Sequence, residues 1–291
     1  MKTAVEQALG FELSNFRRLK GGSSPNFKAV RASDGFPFLV KLLPPGRQDV
    51  YSTLVAHLEE MRGTKAVRRV FSEAPEKVGE FKLVCLEWCE GVSRSPDRLT
   101  DDELRGFLAE YDKFLGQLQL TTHVDRPYDT FRWREKLMKC PGLWVKALQA
   151  VLRREAPLEE IAYRPEQLKT IFGDFHPGNV FFKDGKVNRF VDLESFALGY
   201  PTDDLVRYFI CAFEHLPLGG LGARKRMLAA FQKVVAWTHY SLGEWSLSID
   251  AALIRKFDGY VGDYGFFRVL RLLARVRFYL DLKRIVRENL V

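Results

Sequence analysis

The residues of this sequence best placed to do chemistry lie between Ile171 and Glu194. Asp174 sits in a loop with Gly173, Pro177 and Gly178, five positions before Asn179, and Asn179 precedes the apolar triplet Val180, Phe181 and Phe182. Asp184-Gly185 marks a hairpin turn, and the return strand from Val187 to Val191 delivers Asp192. Such a hairpin is expected to bring Asn179 at its entry close to Asp192 at its exit. An amide oxygen and a carboxylate placed together make a hard-oxygen site suited to Mg²⁺, which takes few protein ligands and completes its shell with phosphate oxygens and water. Asp174, on the preceding loop, can accept the proton of a hydroxyl. Taken singly, an Asp in a Gly/Pro loop is a turn former, and Lys41 is a lysine laying its stem along apolar surface. The chemical reading rests on Lys41, Asp174, Asn179 and Asp192 falling into order along one chain.

Two kinds of texture must position these residues. Residues 11–90 read as short strands with one helix: Glu12 to Lys20, Asn26 to Ala32, a Ser33-Asp34-Gly35 turn, Phe36 to Leu43, Val67 to Ser72 and Phe81 to Glu87. Between them Val50, Leu54, Val55, Leu58 and Met61 recur at helical spacing from Gln48 to Arg62. The rest is mainly helical. Thr100 and Glu103 form a capping-box pattern ahead of Leu104, Phe107, Leu108, Tyr111, Leu115 and Leu118, with further helices around Trp133 to Arg154 and Arg224 to Tyr240. The expectation is an α+β, bilobal fold. A small β-rich lobe covers residues 1–90 with a hinge near 87–91, a helical lobe covers 91–291, and the ligand site lies in the cleft.

The ordered motifs resemble the protein-kinase-like fold of the aminoglycoside phosphotransferase and choline kinase group. The family's His-Gly-Asp-x-His-x-x-Asn loop is matched by Phe172-Gly173-Asp174-Phe175-His176-Pro177-Gly178-Asn179, and its strand end by Val191-Asp192-Leu193-Glu194. Gly199-Tyr200-Pro201-Thr202-Asp203-Asp204-Leu205 is similar to the family's Gly-Asp-Pro-x-x-Asp-Leu. Gly21 to Phe27 looks like the phosphate-covering loop, Phe38 to Lys41 like the strand of the anchoring lysine, and Val84 to Trp88 like the hinge. The resemblance implies that Asp174 is the catalytic base and that Asn179 and Asp192 hold Mg²⁺ on the phosphates of ATP. It gives Glu194 a second metal or its waters, and gives Lys41, Gly22, Ser23 and Ser24 the phosphates. The backbone of Glu87 to Cys89 takes the adenine edge, and Asp204 is structural. Three departures stand out. Phe172 replaces the first loop histidine, the glycine loop is short, and the helix carboxylate that should pair with Lys41 is open among Asp49, Glu59 and Glu60.

Composition bounds the remaining readings. The 291 residues carry a net charge of +8, with 46% hydrophobic and 28% charged residues, as expected of a folded soluble chain. No run of about 18 uncharged apolar residues occurs, and Glu6 interrupts the N-terminus before a signal-like core develops. Cys85, Cys89, Cys140 and Cys211 lack paired metal-ligand spacing and read as thiols in a reducing cytoplasm. His176 with Asp174 and His215 or His239 could be read as an iron triad, but the helical setting disfavours it. Arg268, Arg271 and Arg275, followed by Arg277, Lys283, Arg284 and Arg287, read as the solvated face of a last helix or as a platform for an anionic membrane or phosphorylated sugar. No nucleic-acid motif accompanies the charge. Only twelve positions separate Asp192 from Asp204, too few for a long peptide-docking segment. The expected function is therefore an ATP- and Mg²⁺-dependent kinase of a small hydroxyl acceptor: an aminoglycoside, a choline-like compound or a sugar. The alternatives are a kinase of a lipid-linked or lipopolysaccharide sugar at a membrane face, and a non-catalytic pseudokinase. Trp133, Trp144, Tyr200 and Trp237 could stack on an acceptor, and acidic residues around Glu194 and Asp203 lean toward a cationic one.

Overall fold

The computed structural model describes residues 1–20, 24–46, 48–73, 75–121, 168–216, 220–258 and 266–290. The chain divides into two compact units. One comprises Met1–Val92, Gly116–Thr122 and Phe181–Glu194, the other Ser93–Leu115, His123–Val180 and Ser195–Val291.

In the first unit β1 (Leu13–Arg18), β2 (Asn26–Arg31), β3 (Pro37–Leu43), β4 (Lys77–Val78) and β5 (Phe81–Glu87) form an antiparallel sheet in the order β1-β2-β3-β5-β4. The β2–β3 turn is the expected one. Gly35 takes a left-handed φ of 70°, and the Asp34 carboxylate accepts from the Phe36 amide at 3.1 Å. Alternation along β3 sends Phe38, Val40 and Leu42 to one face, where they bury with Val5 of helix α1 (Lys2–Leu9), Ala29, Leu83 and Cys85. Each full-sized apolar side chain so buried stabilises the unit by roughly 1.5–3 kcal/mol. The same alternation turns Lys41 to the opposite face. Helix α2 (Gln48–Glu60) buries Tyr51, Leu54 and Leu58, with His57 beside them.

Val67 to Ser72, expected as a strand, is not one. Its hydrogen bonds are divided: Val67 donates to Phe190 O at 2.8 Å and Val70 to Cys85 O at 2.9 Å, and the only bridge in the stretch pairs Arg69 with Leu86. Phe71, with φ of 53°, then bends the backbone out of the extended region. The stretch thus laces the end of the hairpin to β5. That hairpin runs Val180–Lys183 and Lys186–Phe190. Its turn residues Asp184 and Gly185 both have positive φ, at 51° and 74°, as a two-residue turn matched to strand twist requires.

The second unit holds the strands Lys169–Ile171 and Ala197–Gly199, paired with Ile171 opposite Ala197. It also holds α3 (Asp101–Thr121) as far as Leu115, α4 (Pro201–Glu214), α5 (Leu221–Trp237), α6 (Leu242–Asp258) and α7 (Phe266–Leu290); α4 packs against the Lys169–Ile171 strand and α6, and α7 against α5 and α6. The capping box of α3 forms as expected: Thr100 N donates to Glu103 Oε2 at 2.9 Å and Glu103 N to Thr100 Oγ1 at 3.3 Å. Helix α4 is buried along most of its length. On α7, Lys283 donates to Asp250 of α6 at 2.6 Å, both about 3% exposed, and Arg275 lies 3.9 Å from Glu214. Arg277 and Arg284 each lie 3.7 Å from Asp281. The described basic side chains named here therefore serve helix packing and local pairs. The helix expected around Trp133 to Arg154, and the side chains of Arg268 and Arg271, lie outside the described residues.

Candidate active site

In the first unit, Lys41 is 5% exposed, and its ammonium donates to Asp192 Oδ1 at 2.6 Å and to Glu194 Oε2. Burial alone would lower this ammonium, but the two carboxylates outweigh it and hold the group above its ordinary value. Lys41 is thus a fixed cation on the face of the sheet opposite the apolar cluster. The helix carboxylate left open in the sequence is not its partner among the described residues: Glu59 pairs with Arg62 at 2.7 Å. What α2 supplies instead is His57, whose Nδ1 lies 2.9 Å from the carbonyl of Leu193, between the two acids. Burial lowers the His57 pKa below its ordinary value, so the ring is neutral at pH 7 and its Nδ1–H can donate to that carbonyl. Asp192 itself, two residues past the end of the strand, takes a left-handed φ of 67°. Two residues earlier, Phe190 donates to Lys65 O at 2.8 Å and fixes where the strand ends.

The C-terminal end of β5 is clamped to the same hairpin. Arg189 donates to Glu87 through Nε at 2.5 Å and Nη2 at 3.1 Å, and Arg68 N donates to Glu87 Oε1 at 2.9 Å. The Glu87 side chain is therefore committed to the fold. Cys89 directs Sγ to Glu87 O at 3.9 Å, and burial pushes its thiol up to about 12, so it stays protonated. Ser24 is buried, whereas Gly22 and Ser23 lie outside the described residues.

In the second unit the loop around Asp174 is built on Asp204. This carboxylate, with no exposed surface, accepts from Phe172 N at 2.7 Å, Gly173 N at 2.9 Å and Tyr111 Oη at 2.9 Å. Burial, outweighing these three donors, raises its pKa to about 7. Phe172, standing where the related motif has histidine, is fully buried against Phe114 and Phe196; its loop contact is made by the backbone, so the side chain is free to serve the core. Gly173 has φ of 79°, and a Cβ there would stand 2.0 Å from Ser195 O. Phe175 anchors the other side of Asp174 in a cluster with Phe107, Tyr111 and Tyr208. Asn179, 5% exposed, donates from Nδ2 to Asp174 O at 2.9 Å, which turns its Oδ1 away from the loop. His176 accepts from Gly178 N at 3.1 Å and is a loop-forming residue.

Two residues at the site carried no role in the sequence reading. Arg207 donates from Nη2 to Asp174 Oδ1; its i+3 spacing from Asp204 on α4 is a signal that could have placed both on one helix face. His57 offered only its place among the apolar positions of α2. The lean toward a cationic acceptor is not carried by the acids it named. Glu194 is bound to Lys41, and Asp203 is 5% exposed and accepts from Tyr200 N at 2.9 Å as part of the α4 cap. Of the aromatics proposed to stack, Tyr200 is buried in that cap and Trp237 carries the Arg105 guanidinium at 4.0 Å; Trp133 and Trp144 lie outside the described residues.

An antiparallel-sheet unit bearing a buried lysine paired with strand-end acids, and a helical unit presenting an aspartate-anchored loop, define a protein of the protein-kinase-like fold. The chain belongs to the phosphotransferase enzyme family, whose model matches residues 15–237. Among solved structures it is similar to spectinomycin phosphotransferase APH(9)-Ia in complex with ADP and spectinomycin, at 12% identity over 98% of this chain and 95% of that one, with a TM-score of 0.60. A thermostable mutant of APH(4)-Ia in ternary complex with ADP and hygromycin B gives 13% identity over 99% and 98%, with a TM-score of 0.59. ADP-bound APH(2'')-Ib gives 15% over 97% and 98%, with a TM-score of 0.51. No curated protein matches the sequence.

Proposed function

We propose that this protein is an ATP-dependent kinase that transfers the γ-phosphoryl group to a hydroxyl of a small molecule, with Asp174 as its base. The observation that carries the reading is the loop built on Asp204. Three hydrogen bonds to one buried carboxylate, with Phe172 and Phe175 packed into the core, give Asp174 a rigid platform, and Asn179 is tied to the same residue. That is the preorganisation phosphoryl transfer needs, since catalysis there is mostly positioning and electrostatics. The short passage from Asp192 to Asp204, part of it in the Ala197–Gly199 strand, supports a small acceptor over a peptide.

The donor set fits Mg²⁺. Asp192 has a partly exposed carboxylate, and Asn179 has its amide oxygen directed away from the Asp174 carbonyl. Asp192 and Asn179 would hold the ion and Glu194 a second ion or its waters, and when bound the ion would neutralise charge on the β- and γ-phosphate oxygens. Lys41 supplies a fixed positive charge for the phosphates. Its present partners, Asp192 and Glu194, hold it in place before nucleotide arrives. The backbone at Glu87 to Cys89 would take the adenine edge, and Gly22, Ser23 and Ser24 the phosphates. Asp174 orients the acceptor hydroxyl and receives its proton as the O–P bond forms. Among the described residues no helix is long and apolar enough to cross a membrane.

The test is ADP release with a panel of aminoglycosides, choline, amino sugars, free hexoses and heptose-containing glycans, comparing wild type with Asp174→Asn. Acceptor-dependent turnover reduced roughly 10²–10⁴-fold in the variant is expected. Equal turnover in both proteins would remove Asp174 from the reaction. No rise in melting midpoint with Mg²⁺ and ATP would instead make the chain a non-catalytic member of the fold.

A further inference from the structure

Helix α2 keeps a polar ring within its apolar row. Tyr51, Leu54, Leu58 and Met61 follow one another at spacings of three and four and are buried, and His57 falls on the same face, 5% exposed. An imidazole buried there is costly unless its polar atoms are satisfied. Its Nδ1 lies 2.9 Å from the Leu193 carbonyl, which can only accept, so Nδ1 carries the proton and donates. That carbonyl belongs to the residue between Asp192 and Glu194. Strand pairing ends before these acids: the hairpin strand closes at Phe190, Asp192 has φ of 67°, and Leu193 and Glu194 lie in a turn. The passage is held at its start, where Val67 donates to Phe190 O and Phe190 N to Lys65 O, both at 2.8 Å. Those partners lie just beyond α2. Thr64 Oγ1 donates to Met61 O at 2.8 Å and accepts from Ala66 N at 3.0 Å, and Ala66 pairs with Phe190. The helix, the turn after it and the acid-bearing segment thus close into one ring, and His57 is its link beside the acids.

The other tie at this place is ionic. Lys41 donates to Asp192 Oδ1 at 2.6 Å and to Glu194 Oε2, and the Asp192 side chain is 38% exposed. In the kinase reading the same groups have other partners once nucleotide arrives, the ammonium on phosphate oxygens and the Asp192 carboxylate on a divalent cation. Work at the site therefore loosens the ionic tie. A neutral donor on a backbone carbonyl takes no part in that exchange. We propose that His57 is a positioning residue for Asp192 and Glu194. It fixes the backbone between them from α2, so that both carboxylates keep their places for a divalent cation while Lys41 turns to the nucleotide. The inference rests on the kinase reading above and gives α2 a part in it: the helix is keyed to the acid segment by an imidazole, and the acids themselves hold the lysine. Groups that orient the ligands of a metal govern its affinity without touching it.

The experiment uses the full chain and the rise in melting midpoint given by a fixed concentration of a non-hydrolysable ATP analogue as Mg²⁺ is titrated, with EDTA as the zero point. Wild type is compared with His57→Leu, which removes the donor, and His57→Asn, whose side-chain amide can donate from the position of Nδ1. The expected result is that His57→Leu needs roughly 10–100-fold more Mg²⁺ for half of the rise, with the midpoint shift in EDTA unchanged, and that His57→Asn stays close to wild type. A merely structural histidine would lower the midpoint of the free protein and leave the Mg²⁺ requirement alone. His57→Leu with the wild-type requirement therefore overturns the inference and leaves the kinase reading standing, as does His57→Asn behaving like His57→Leu. No Mg²⁺-dependent rise in wild type overturns the kinase reading and the inference with it. Where His57→Leu does not fold, the ¹⁵N resonances of the wild-type imidazole decide. The proton is expected on Nδ1 at pH 7, both in the free protein and with Mg²⁺ and the analogue bound. A ring protonated on Nε2 alone in either state overturns the inference.

Discussion

Replacing Asp204 by alanine tests the idea that one buried carboxylate supports the loop that carries Asp174. The change removes the acceptor of three donors: the amides of Phe172 and Gly173 and the hydroxyl of Tyr111, the last from a side chain with no exposed surface. A buried donor left without an acceptor costs about 1–3 kcal/mol. With two amides left without an acceptor, the Tyr111 hydroxyl left with Pro201 O at 3.2 Å and some relief from loop movement, the expected loss is about 3–6 kcal/mol, in the tail that only buried-network and cavity changes reach. At about 2–4 °C per kcal/mol for a domain of this size, the melting midpoint should fall by about 6–24 °C. Tyr111→Phe removes one donor and leaves both backbone bonds, so it should cost about a third as much. The assay is thermal unfolding of wild type, Asp204→Ala and Tyr111→Phe in one buffer, followed by ADP release below the lowest midpoint. Asp204→Ala should lose activity beyond its loss of folded protein, because the residues it frees immediately precede Asp174. If Asp204→Ala melts within 2 °C of wild type, or no lower than Tyr111→Phe, the scaffold argument fails.

Three other outcomes follow from the same geometry. Lys283→Met leaves Asp250 charged and buried and should cost about 3–5 kcal/mol in unfolding free energy, most of it recovered when Asp250 is replaced by leucine in the same chain. Gly173→Ala carries about 1–2 kcal/mol for its left-handed backbone plus the displacement of Ser195 O, only 2.0 Å from the new Cβ; a full loss of ADP release with a lowered midpoint is expected, and normal kinetics would contradict the geometry. Burial raises the carboxyls of Asp203 and Asp204 from an ordinary 3.8 to about 6 and about 7. Between those values the native state holds protons that the unfolded chain has released, so stability falls as pH rises from about 4 to about 7. Midpoints across that range should show the slope in wild type and a shallower one in Asp204→Asn.

Local chemistry made some of this structure readable and hid the rest. Asp34-Gly35 and Asp184-Gly185 announce their turns because the left-handed backbone at Gly35, Asp184 and Gly185 favours few residue types, and both hairpins stand where those pairs put them. The Thr100 and Glu103 box is legible for the same reason: its two hydrogen bonds join neighbours in the chain. Val67 to Ser72 misleads because Val and Phe content signals an extended surface, while its actual hydrogen bonds go to Phe190 and Cys85, far away in sequence. The partners of Lys41 were equally hidden. No helix acid of α2 is needed, because the sheet face that β3 presents to Asp192 and Glu194 satisfies the ammonium, and α2 contributes a neutral imidazole to Leu193. Motif order could locate Asp174, but its charge environment depends on Arg207, a residue outside every motif. Helix α4 thus does two things from one face. Asp204 fixes the loop backbone, and one turn on, Arg207 pairs with the Asp174 side chain.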